Sequence, residues 1–193
     1  MDAKTLYLGI DLGVRSGAAS SLLGTASGVS FLSWDSWSSW QGQEDVIRDH
    51  AAGIREALRA GLRVVVQVEG VFFAVRGGIP LNTDGIEDAL QSMGAWRSMA
   101  CRAGAVWCPP VGYSRWAGDV LGIRGKAATK KACTGLIRTL AEADRLPKSN
   151  EHKRDSYYIA RWRADCDLAG MPIDVGERRV SRKAKSWRKR GAA

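Results

Sequence analysis

The sequence predicts a mixed α/β domain with a meander of antiparallel strands leading into parallel ones. Three observations support this. LYLGID and the two runs after it are short, apolar and separated by glycine turns. LRVVVQVEG is a β-branched run without alternation, as expected of a strand covered on both faces. Long stretches of helical periodicity lie between and after the strands. A chain of 193 residues, 45% hydrophobic and 25% charged, can bury a core of ordinary size.

In chain order, residues 4–11 (KTLYLGID) read as a first strand, closed by a turn containing Gly13. Residues 17–24 (GAASSLLG) and 28–34 (GVSFLSW) follow as strands two and three, and the polar-aromatic SWDSWSSW (33–40) is expected to leave the sheet. Residues 43–60 carry Val46, Ile47, Ala51, Ile54 and Leu58 at helical spacing, with Gly61 as the stop. The fourth strand spans 62–70 and a second helix 84–103. AVWCPP (105–110) is a short fifth strand halted by prolines. Helices over 126–144 and 150–167 complete a β-β-β-α-β-α-β-α-α order, with Asn150 as a cap for the last.

Charge is distributed unevenly. Arg178, Arg179, Arg182, Lys183, Lys185, Arg188, Lys189 and Arg190 face only Glu177 within 177–193, giving +8 − 1 = +7 of the chain's +9. The sequence therefore divides into a domain over 1–176 and a basic tail over 177–193. With Trp187 as its one aromatic and no apolar stripe, the tail suits nucleic acid better than a membrane surface. No apolar run is long enough to span a bilayer and no signal peptide is evident, so the cytoplasm is the expected location. Cys101, Cys108, Cys133 and Cys166 form no CxxC pair and read as reduced, mostly core thiols.

Two strands end in acids, Asp11 and Glu69. If those strands are parallel neighbours, both carboxylates emerge at one sheet edge. In NEHKRDSYYIARW, His152 and Asp155 are three residues apart and share a helical face with Tyr158 and Ile159. Each acid also has a plainer reading. Asp11 suits a turn cap with Gly13, Glu69 an exposed strand end, and Asp155 a solvated charge beside Lys153 and Arg154; His152 suits an exposed helix start. Together they suggest a convergent carboxylate set. Repulsion within such a set is relieved by hard divalent cations such as Mg²⁺ (or Mn²⁺), and two ions per site make phosphodiester cleavage feasible.

The segments LGIDLGVRSG, VVVQVEGVFF and HKRDSYYIA, in that order over residues 5–165, resemble the RuvC-type Holliday junction resolvases of the RNase H-like superfamily. WAGDVLGIRGKAATKKACTGLIRTL (116–140) resembles that family's lysine-bearing loop and helix. The resemblance implies an RNase H-like five-stranded mixed sheet flanked by helices, and a homodimer that nicks a four-way DNA junction symmetrically. It puts Asp11, Glu69, His152 and Asp155 in catalytic, metal-holding places. Phe72 matches an aromatic at the junction centre, although Phe72 and Phe73 equally suit core packing. Lys126, Lys130 and Lys131 lie where the family contacts phosphates, although lysines on a helix also suit a solvated face. The tail and the Trp-rich 34–40 depart from the family pattern and suggest a divergent, phage-type member. The sequence says nothing about a branch-migration motor.

Rival readings remain. GIDLG also resembles the first phosphate loop of actin-like ATPases, but the chain supplies only one of the two halves that fold needs. A less selective RNase H-like or branched-DNA nuclease and a non-catalytic DNA-binding module are the others. One expectation concerns the tail alone. Truncation after residue 176 should weaken DNA binding and flatten its salt dependence by up to about 0.9 log unit for each phosphate the tail neutralises. Binding titrations over a range of salt concentrations measure both, and an unchanged slope would assign the tail another role.

Overall fold

A computed structural model describes residues 4–12, 16–70, 83–123 and 130–173. The strands are β1 (Thr5–Leu12), β2 (Gly17–Thr25), β3 (Gly28–Trp37), β4 (Arg63–Val68) and β5 (Val106–Trp107). The helices are α1 (Trp40–Arg59), α2 (Thr83–Ala103), α3 (Tyr113–Leu121), α4 (Lys130–Ala143) and α5 (Glu151–Leu168). The sheet order is β3-β2-β1-β4-β5. β1 pairs antiparallel with β2 and β2 with β3, whereas β4 runs parallel to both β1 and β5. This is the mixed sheet expected from the sequence. No described helix is long and apolar enough to cross a membrane.

Alternation along β1 divides the core. Leu8, Ile10 and Leu12 pack with Val64, Val66, Val68, Ile54 and Trp96 on the α1/α2 face. Tyr7 joins Leu22, Val65, Trp116, Ile137, Tyr158 and Ile159 on the face covered by α3, α4 and α5. Gly9 lies on this second face and sets the distance of α5. A Cβ built there would lie 2.2 Å from the Ser156 carbonyl oxygen and 2.5 Å from the Ala160 nitrogen. Both obstacles are helix backbone, so no rotamer change relieves them. A hydrogen bond between the Ser20 and Ser156 hydroxyls fixes the same crossing from β2. The far end of α5 is tied to β1 and β4 through Asp167, which accepts from Tyr7 at 3.2 Å and Arg63 at 3.0 Å and pairs with Arg163.

Two expectations need correction. The Trp-rich segment does not leave the sheet at Ser33: β3 runs on to Trp37, and Trp40 opens α1. The segment ends an outer strand and is polar and mostly exposed, which hides it from hydrophobic alternation. An irregularity just before it sets which face its tryptophans take. A bulge pairs Ser21 with Ser33 but Leu22 with Phe31, leaving Leu32 exposed and putting Phe31 and Trp34 on the α5 face. Trp37 packs instead against Trp96 on the other face. Second, α3 is a helix that the periodicity did not reveal, because nine residues between Gly112 and the left-handed Gly122 make too few turns to show one.

Gly9→Ala should destabilise the protein by about 1–3 kcal/mol or more, the range for overpacking against an unyielding wall. Gly53→Ala, where nothing lies within 4 Å of the added carbon, should be neutral or stabilising. Denaturant melts of both variants test the contrast.

Candidate active site

The described acids converge at the edge where β1 and β4 end. Asp11 is the penultimate residue of β1 and is buried. Ile10 and Val68 are register partners, and the Glu69 N–H donates to the Ile10 carbonyl at 2.9 Å, placing Glu69 beside Asp11. The backbone around Glu69 is also fixed from the far side, with Gly70 donating to Val111 at 2.7 Å and Val111 donating to Val68 at 3.0 Å. Asp155, near the start of α5, is 2% exposed, so it is not the solvated helix charge its neighbours suggested. The Asn150 side chain caps α5 by accepting from the Lys153 N–H at 2.9 Å, as expected.

His152 bridges helix and sheet. Its Nδ1 lies 2.7 Å from Asp11 Oδ2 and its Nε2 lies 3.0 Å from Ser16 Oγ. An ionised carboxylate only accepts, so Nδ1 carries the proton. The hydrogen bond to Asp11 raises the His152 pKa against the opposing effect of burial. Imidazolium is thus favoured as the local counter-ion of Asp11.

The remaining carboxyls are under-compensated. Burial first, then the charges of Asp11 and Asp155, push Glu69 up to about 8. Burial first, then Asp11 and Glu151, push Asp155 up to about 7. Glu69 Oε2 is buried with no hydrogen-bond partner. The Trp116 indole offsets part of the Glu69 rise, although its N–H closes no hydrogen bond of ordinary geometry. Lys130, at the start of α4, contributes a cation 3.7 Å from Glu151. Burial would lower its pKa, but Glu69, Asp11, Glu151 and Asp155 together raise it.

This donor set fits a hard divalent cation: three clustered carboxylates, one with an orphaned oxygen, and an adjacent imidazole. Among the described residues no three such donors already close on a common point, and Asp11 Oδ2 is engaged by His152. The residues in position to hold an ion are Asp11, Glu69, Asp155 and His152.

Lys131 is exposed on α4, whereas Lys130 lies in the field of the acids. Phe72, Phe73, Lys126 and the tail cations Arg178, Arg179, Arg182, Lys183, Lys185, Arg188, Lys189 and Arg190 lie outside the described residues. Sequence reasoning missed Ser16, Tyr113 and Trp116. Ser16 sits among small polar residues after the first strand without any distinguishing pattern. Nothing in the sequence distinguishes Trp116 and Tyr113, and only α3 brings them to the acids.

The architecture is RNase H-like, and among solved structures it is similar to RuvC. Thermus thermophilus RuvC superposes with a TM-score of 0.56 at 22% identity, covering 87% of this chain and 97% of RuvC. T. thermophilus RuvC in complex with a Holliday junction substrate gives a TM-score of 0.57 at 17% identity with the same coverage. The yeast mitochondrial Holliday junction resolvase is matched more distantly, with a TM-score of 0.43 at 14% identity over 87% of this chain and 81% of its own. No protein-family model matches the chain, and no curated protein matches its sequence.

The raised carboxyls carry a stability prediction. A carboxyl whose pKa rises on folding binds its proton more tightly in the folded state. The stabilisation is full at low pH and is lost as pH climbs from the usual carboxyl range to about 8 for Glu69 and about 7 for Asp155. With divalent cations chelated, Glu69→Gln should therefore raise Tm at about pH 9 and give no gain at about pH 4, each kcal/mol relieved being worth about 2–4 °C. Thermal melts at both pH values check it; an equal effect at both would exclude an electrostatic origin.

Proposed function

We propose that this protein is a metal-dependent endonuclease that resolves four-way DNA junctions by paired, symmetric nicks. The observation that carries the reading is the convergence of Asp11, Glu69 and Asp155 with His152 at one sheet edge, with two of the acids driven up by burial and mutual repulsion. The RuvC-like architecture supports it, since one of the similar structures is RuvC bound to a Holliday junction substrate.

In this reading Asp11, Glu69 and Asp155, with His152 once it gives up its extra proton, would hold two Mg²⁺ (or Mn²⁺) ions. When bound, the ions supply an activated water and positive charge for the leaving oxygen. The chain's own contribution is placement. β1 and the bridged backbone around Glu69 hold two acids in register, and α5 supplies the third on a helix locked to the sheet. His152, oriented by Asp11 and Ser16, is suited to align the attacking water or join the ligand set. Lys130 lies beside the acids, where a phosphate would approach. Lys126, Lys131 and the tail arginines and lysines serve the backbone of branched DNA, and Phe72 with Phe73 serves the junction centre. A homodimer would supply the second nick.

Asp11→Asn should retain junction binding and lose cleavage by on the order of 10²–10³-fold. Gel analysis of labelled synthetic junctions with Mg²⁺ or Mn²⁺ reads both. If wild-type protein cuts duplex or RNA–DNA hybrid as readily as junctions, a less selective nuclease is the correct description. If it cuts no branched DNA at all, the chain is a binding module.

A further inference from the structure

The acid cluster is flanked on both sides by a lysine held over an aromatic ring. On the β4/β5 side, Lys130 Nζ stands 5.3 Å from the Tyr113 ring centroid. On the opposite side, Lys153 Nζ stands 5.9 Å from the Trp34 ring centroid. Trp34 belongs to β3, the outer strand, two places from β1 and so about 10 Å away across the sheet. Across the sheet, Trp34 on β3 is level with Ser20 and Gly9, two residues below Asp11 on β1, while Glu69 after β4 and Tyr113 beyond the Glu69–Val111 bridge lie on the other side of Asp11.

The Trp34 side of the acids is built, not incidental. The bulge in β3 turns Trp34 onto the α5 face, where Phe31 meets it edge-on at 4.9 Å and in turn packs on Tyr157 at 5.9 Å. Lys153 follows His152 directly in α5, and its backbone N–H is fixed by the Asn150 cap. Lys130 has Glu151 as an ion-pair partner, whereas among the described residues no carboxylate lies within ion-pair distance of Lys153. Asp35, next to Trp34, feels the Lys153 charge, but no carboxylate closes an ion pair on it among the described residues, so a cation held on an indole face one residue from His152 is left able to take a phosphate.

We infer that Lys153, supported by Trp34, is a phosphate-binding post for the DNA strand on the β3 side of the acids. It acts opposite Lys130, so the strand crosses the sheet edge from the Tyr113 side to the Trp34 side. The inference rests on the nuclease reading and extends it. It gives the first tryptophan of the Trp-rich segment a function: Trp34 is a positioning residue that acts through Lys153. Neither residue handles the reacting atoms, so the effect belongs in binding.

The test uses the full chain and a synthetic four-way DNA junction. With divalent cations chelated so that no strand is cut, Lys153→Met, which keeps the aliphatic stem, should weaken binding and reduce the salt slope by about 1. With Mg²⁺, KM should rise while kcat stays within about two-fold, the pattern of weakened binding with the chemistry intact. Lys153→Arg should restore both slope and KM. Trp34→Ala should weaken binding about 2–5-fold, Trp34→Phe less, and neither should add to Lys153→Met. Wild-type affinity and slope in Lys153→Met would overturn the inference, as would a fall in kcat with KM unchanged. If wild-type protein binds no junction, the nuclease reading fails and the inference falls with it; wild-type binding alongside an unaffected Lys153→Met removes only the inference.

Discussion

The contact between the backbone of α5 and the bare Cα of Gly9 governs how the rest of the structure is arranged. The helix can lie directly on β1 because no Cβ intervenes, and the Ser20–Ser156 hydrogen bond and the Asp167 cluster hold it there. Because Ser156 is the point of contact, Asp155 arrives buried beside Asp11, and His152, one turn earlier, reaches Asp11 from the helix end. Any larger residue at position 9 would lift the helix and separate the acids. The same packing that builds the core therefore fixes the geometry of the site.

The site works against stability. Burying carboxylates together raises their pKa values, and the chain offsets this only in part, through His152 on Asp11 and the more distant Lys130. A core selected for folding alone would not retain an orphaned Glu69 oxygen beside two other acids. Such an arrangement is expected where ligand binding, not folding, sets the requirement. Lysines on aromatic rings to either side leave positive charge at the rim while the centre stays acidic. That distribution is the one the proposed reading requires, with an anionic polymer at the edges and cations at the centre.

Much of this was legible beforehand because it depends on local pattern. The β-branched run before Glu69 marked a covered parallel strand, which placed that acid at the same edge as Asp11. The three-residue spacing of His152 and Asp155, with Tyr158 and Ile159 following, marked the buried face of the last helix. The Trp-rich segment was misread because Ser33–Trp37 ends an outer strand and is polar and mostly exposed, so a strand looked like a loop. Helix α3 was missed because nine residues carry little periodicity.

By itself, the sequence determined the order of the strands, four of the five helices, the mixed sheet and which acids to consider, because hydrophobic period and residue type are properties of neighbours along the chain. Only the tertiary structure decided that His152 faces Asp11 and Ser16, that Lys130 lies in the field of four carboxylates and that Lys153 stands over Trp34. Those pairings join residues from distant parts of the chain. They follow from how closely α5 packs on Gly9 and from where one bulge turns β3, and neither distance nor orientation across a fold is written in local periodicity.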